Sequence, residues 1–178
     1  MAFLIRKINY KKWLGCKALN KEKYHADAIT ACTRTSGNTL SVWRSEIGEL
    51  SVNTNREIIT AIATIMNKLD LLDLVILKEE DFISNGIELE KTSGDSKIES
   101  LNDLHRDLAN IDYEKLGFVA EKIVEAINTE GKLLRMSKED VVDVLYHYYG
   151  DSLSDSPLDS SLKRDVLKKL ENNKKATQ

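Results

Sequence analysis

The chain predicts an α+β fold: a small N-terminal β-sheet with one packed helix, followed by a helical C-terminal half of about four helices. Three observations lead there. Period-two patterns and short apolar runs fall within residues 1–92, whereas residues 93–178 read as capped helices with apolar stripes. The composition holds 42% hydrophobic and 31% charged residues, which supplies a core and excludes a disordered chain. One proline and eight glycines among abundant Leu, Ile, Lys and Glu favour helix. At 178 residues the two parts, 1–92 and 93–178, are expected to form one continuous domain.

The elements follow in order. Phe3–Ile8 alternates weakly and reads as a strand. The turn residues Ser36-Gly37-Asn38 precede a second strand over Thr39–Arg44, with Leu40 and Val42 on one face and Ser41 and Trp43 on the other. The two strands are expected to pair, because a lone strand leaves its backbone groups unsatisfied. Thr54-x-x-Glu57 matches a capping box, opening a helix with Ile58, Ile59, Ile62, Ile65, Met66 and Leu69 on one stripe. Leu72–Lys78 reads as a buried strand, and Ile87–Glu90, after the turn Ser84-Asn85-Gly86, as an edge strand. Lys91–Lys97 is a polar loop and the expected boundary.

Four helices are expected beyond it. Ser96-x-x-Glu99 opens Glu99–Asn110, in which Leu101, Leu104, Leu108 and Ile111 keep a helical period. Leu116, Val119, Ala120, Ile123, Val124 and Ile127 form a stripe that stops before Gly131. Ser137-x-x-Asp140 opens a helix through Val141, Val144, Leu145 and Tyr148, which Gly150 ends. Ser156-Pro157 opens the last one, with Leu158, Leu162, Val166 and Leu170 along one side.

Charge is segregated around a net value of −3. Residues 1–24 carry a net +6 and residues 163–178 a net +4, which leaves −13 between them. Basic ends around an acidic middle suit a charged partner surface or head-to-tail association. Cys16 and Cys32 have neither metal spacing nor a disulfide framework, which suits a reducing cytosol. The short apolar stretch Ala2–Ile5 is no signal peptide, and no run approaches the roughly 20 apolar residues of a membrane span. A soluble cytoplasmic protein is expected.

Several motifs are weighed as chemistry. Leu104-His105-Arg106-Asp107 resembles a kinase catalytic loop, but that loop needs an Asn five residues after the Asp, and Asp112 stands there. With no glycine-rich phosphate loop either, the segment reads as a helix surface. His25-x-Asp27 lacks the further ligands of a metal site, and no metal or cofactor is expected. Arg34-Thr35-Ser36-Gly37-Asn38-Thr39 joins a guanidinium, hydroxyls and a glycine beside a strand, a composition that suits a phosphate. Arg6, Thr35-Ser36-Gly37 and Glu88-x-Glu90 stand in an order that resembles one class of ADP-ribosyltransferases. Those three short patterns leave the helical half unaccounted for and assign no family.

Tyr146-His147-Tyr148-Tyr149 is aromatic-dense in a chain with 6% aromatic residues, and tyrosine suits interfaces. The binding candidates are Arg34, Ser36, Asn38, Trp43, Arg44, Tyr146 and Tyr149, with a basic patch of Arg6, Lys7, Lys11 and Lys12. The leading expectation is a non-enzymatic interaction or regulatory protein that binds another protein or a second copy of itself, in the manner of a toxin-neutralising or complex-assembly component. The alternatives are a nucleic-acid accessory role through the basic termini and a nucleotide-binding enzyme using the Arg34–Thr39 loop.

Overall fold

The computed structural model describes residues 1–33 and 35–176, and for residues 151, 154, 155, 170 and 172–176 the backbone alone. Six strands, β1 (Phe3–Ile8), β2 (Leu40–Ser45), β3 (Leu72–Lys78), β4 (Glu88–Lys91), β5 (His105–Ala109) and β6 (Leu133–Met136), form one sheet. Its order is β4-β5-β2-β1-β3-β6 and every ladder is antiparallel. The helices are α1 (Tyr10–Trp13), α2 (Ala26–Cys32), α3 (Arg56–Thr64), α4 (Glu79–Ile83), α5 (Tyr113–Ile127), α6 (Lys138–Tyr149) and α7 (Ser160–Ala176).

Both faces of the sheet are covered. Ile5, Trp43, Leu72, Leu74, Ile76 and Met136 face α3, α6 and α7 in one buried cluster. Leu4, Leu40, Val42, Val75, Leu77 and Leu108 face α1, α2, α4 and α5 in another. Burial on both sides explains why β3 is an unbroken apolar run rather than an alternating one. Its one buried charge, Asp73, accepts from Arg135 Nε at 2.9 Å and from the Tyr10 N–H at 3.2 Å.

The expected division into an N-terminal sheet and a helical C-terminal half is overturned, because strands run through the whole chain. β5 lies between β4 and β2, and β6 lies at the edge beside β3. The segment His105-Arg106-Asp107, expected on a helix surface, is therefore strand. Only Glu99–Leu104 makes a short 3-10 helix before it. Trp43 and Ser41 of β2 stand in register with His105 and Asp107, and Leu89 of β4 with Leu108. Two flanking strands with open backbone groups outweigh a chance spacing of leucines. β6 has four residues, too few to show a period, and it follows the turn at Gly131, where φ is 73°.

Local signals fared according to what else their residues touch. Ser137 and Asp140 form the expected capping box at α6. At α3 the N-cap is Asn55 instead, because the Thr54 hydroxyl donates to the Glu49 carbonyl at 3.0 Å. That helix ends at Thr64, so Ile65, Met66 and Leu69 lie beyond it. α7 begins at Ser160 rather than at Ser156-Pro157, since Ser156 closes a 3-10 helix over Gly150–Asp155. Leu158, Leu162 and Val166 are buried as their spacing predicts, whereas the side chain of Leu170 lies outside the description. Among the described residues, no helix is long and apolar enough to cross a membrane.

Candidate functional site

The two central strands part company. β1 and β2 pair at Phe3↔Ser45, Leu4↔Arg44 and Ile5↔Trp43, and their ladder stops there. β1 nevertheless continues against β3 as far as Ile8↔Asp73, and β2 against β5 as far as Leu40↔Leu108. The result is a rift in the middle of the sheet that widens toward Ile8 and Leu40.

Arg6 occupies the parting. It alternates with Leu4 and Ile8, so its side chain leaves β1 on the face covered by α2. Its Nε and Nη2 donate to the Cys32 carbonyl at 3.2 and 2.8 Å, and its Nη1 donates to the Ser41 carbonyl of β2. A guanidinium carries five N–H donors, so two remain after these three bonds. Burial lowers its pKa to about 10, opposed by the nearby Cys32 and Asp107, which leaves it cationic at neutral pH. Lys7, the next residue, is also shifted down by burial. Among the described residues, neither cation forms an ion pair.

The rift holds a cleft of about 320 Å³, lined by Arg6, Lys7, Ile8, Asn9, Ala31, Ser41, Trp43, Ile62 and Ile65. An adjoining hollow of about 240 Å³ shares Lys7, Ile8 and Asn9 and adds Lys11, Asp70, Leu71 and Asp73. α3 brings Ile62 to one wall and the turn after it brings Ile65, while the end of α2 brings Ala31.

A polar chain backs the cleft. The Ser41 hydroxyl donates to Asp107 Oδ1 across 3.4 Å, and the Thr92 hydroxyl donates to Asp107 Oδ2 at 3.0 Å. With its one proton given to Asp107, Thr92 Oγ1 accepts from His105 Nδ1–H at 2.9 Å. Burial holds His105 below its usual pKa, against the opposing pull of Asp107. Trp43 meets the imidazole edge-on with ring centroids 5.3 Å apart. Gly94 makes this fit: a Cβ there would stand 2.8 Å from Trp43 Cη2 and 3.1 Å from His105 Cβ. The carboxylate touches both hydroxyls while the imidazole touches only Thr92, so this is not the order of a nucleophilic triad.

A larger cleft of about 590 Å³ lies at the other end of β2, against the start of α3, with Arg44, Arg56 and Arg106 in its walls. Glu46 and Glu57 line it too, and Arg44 is neutralised by Glu79 at 2.9 Å and Glu46 at 2.6 Å. Its charges are largely balanced, unlike those of the rift.

The sequence-derived candidates are scattered. Trp43 lines the rift and Arg44 the larger cleft. Ser36 pairs with Thr39 across an exposed turn, and Asn38 has φ 62° with its carbonyl accepting from the Ile111 N–H at 3.1 Å. Arg34 lies outside the described residues. Tyr146 packs partly buried against the core, and Tyr149 is buried with no partner for its hydroxyl among the described residues, its pKa pushed up to about 12 by burial. Of the four basic residues, Arg6 turns inward and Lys12 pairs with Asp27 at 3.3 Å, while Lys7 and Lys11 border the hollow. His25 caps α2 on the face opposite His105, with its ring against Gly15.

Sequence reasoning missed Asp107 and Thr92 as partners and took Arg6 for a surface cation. One signal was present: a cation between Leu4 and Ile8 sits on an apolar face of its strand. No protein-family model, curated protein or solved structure matches the chain.

Proposed function

We propose that the protein binds a small anionic ligand in the rift between β1 and β2, with Arg6 and Lys7 as the groups that hold the anion. The observation behind this reading is the parting of the ladder after Ile5↔Trp43, which leaves a cleft bordered by two cations that form no ion pair among the described residues. Half-buried Arg6, which has no ion-pair partner among the described residues, carries a desolvation cost that an anionic ligand offsets. The guanidinium is fixed by two backbone carbonyls, so it meets the ligand already oriented. Both cysteines are free and buried, which agrees with the proposed setting in a reducing cytosol.

Thermal-shift titration with phosphate, pyrophosphate, sulfate and dicarboxylates tests the reading. Binding raises the melting temperature, since a ligand at a hundred times its Kd adds about 2.7 kcal/mol. The Lys7 side chain makes no ion pair or hydrogen bond among the described residues, so Lys7→Gln folds normally and abolishes most of that rise. A rise of equal size in Lys7→Gln places the anion elsewhere.

A second reading keeps a protein partner. β4 is an open edge of the sheet beside a hollow of about 460 Å³ lined by Ile83, Gly86, Ile87, Glu88, Leu89 and Glu90. A basic extended segment suits that acidic edge through strand addition. Its charged residues also discourage casual pairing, which places this reading second. Glu88→Lys together with Glu90→Lys abolishes capture of a partner bound there and leaves capture of any other unchanged.

A further inference from the structure

Resting on the second reading, a protein partner at the β4 edge, we infer that this partner is an extended polypeptide segment in which Lys or Arg alternates with Leu, Ile or Val. The two faces of the edge differ. Leu89 stands in register with Leu108 and packs against the cluster that α4 and α5 cover. Glu88 and Glu90 alternate with it onto the other face, where Glu90 stands directly opposite Asp107. A strand added beside β4 continues the pleat, so its successive residues meet the two faces by turns.

Each face sets its own requirement. Glu88 and Glu90 are exposed, and neither they nor Asp107 form an ion pair among the described residues. Like charges directly opposite one another on adjacent strands destabilise the sheet, and a cation on the open side of Glu90 offsets that repulsion. On the other face, Ile83 at the end of α4 is 55% exposed and lines the hollow together with half-buried Leu89. An apolar side chain of the added strand covers Ile83 there. The edge is free to pair: among the described residues, no backbone hydrogen bond beyond the β5 ladder reaches Glu88–Lys91. The β4 of a second copy is a poor occupant, because the antiparallel register that joins Leu89 to Leu89 sets Glu88 against Glu90.

Fluorescence anisotropy with labelled peptides separates this inference from the reading it rests on. The probes are the alternating peptide Lys-Leu-Lys-Leu-Lys-Leu-Lys and a block peptide of the same composition, Lys-Lys-Lys-Lys-Leu-Leu-Leu. Their net charges are equal, so simple attraction to the acidic edge favours neither. The alternating peptide is expected to bind about tenfold or more tighter than the block peptide. Glu88→Gln together with Glu90→Gln weakens it about tenfold, and Ile83→Ser, at an exposed position, removes most of its advantage. Hydrogen exchange at the amides of Glu88–Lys91 slows when it binds. An advantage below about tenfold, with both peptides lost in Glu88→Lys/Glu90→Lys, overturns the alternating segment while the acidic edge stands as a docking site. Binding of neither peptide, or binding that leaves exchange at Glu88–Lys91 unchanged and survives every variant, overturns both.

Discussion

Arg6 carries two tasks that a substitution separates. Its guanidinium satisfies the Cys32 and Ser41 carbonyls, and it offers its remaining donors to the cleft. Arg6→Met removes the donors and leaves both carbonyls without that partner, at a cost of about 1–3 kcal/mol in denaturant unfolding. His105 gives a prediction with a definite sign. Its pKa in the folded protein lies below the ordinary 6.5, so the unfolded chain takes up the proton first as pH falls. The stability tied to its neutral form is fully present above 6.5 and declines as pH drops through that value toward the folded pKa. Melting temperatures measured from pH 7.5 to 5.5 should fall, and His105→Gln should flatten part of that decline. Gly94→Ala forces a methyl against Trp43 and His105 and costs about 1–3 kcal/mol, the usual penalty for overpacking.

At the scale of the element, legibility followed how far each signal was local. The Ser137/Asp140 box at α6 was readable because its two partners lie three residues apart and touch nothing else that matters. Ser137→Ala removes it and should cost about 1 kcal/mol in thermal unfolding. β1, β2 and β3 were readable because their apolar residues are buried by the sheet itself. β5 was not. His105-Arg106-Asp107 carries polar residues at alternate and adjacent positions, and nothing local says that β2 and β4 will flank it. The rift was hidden for the same reason, since a ladder that stops after three pairs depends on residues 26 to 35 positions apart. Only Arg6 betrayed it, as a cation on an apolar strand face.

For the whole molecule, the sheet ties distant segments together. β4 pairs with β5 across the loop Lys91–Lys97, and β3 pairs with β6 although α4, α5 and two other strands come between them in sequence. A chain ending at residue 92 therefore loses the partner of β4, the outer partner of β2 and one partner of β3. Circular dichroism of that fragment should show little cooperative unfolding, whereas an independent N-terminal layer would melt in a sharp transition. Such non-local pairing also predicts slow folding relative to a helical bundle of this length.

The most direct test of the central claim is an amide and indole NMR titration of the intact protein with inorganic phosphate. Saturable shifts confined to Arg6, Lys7, Asn9, Ser41 and the Trp43 indole N–H, and lost in Lys7→Gln, are the predicted result. Shifts centred instead on Arg44, Arg56 and Arg106, or none as phosphate is raised, would contradict an anion site in the parted sheet.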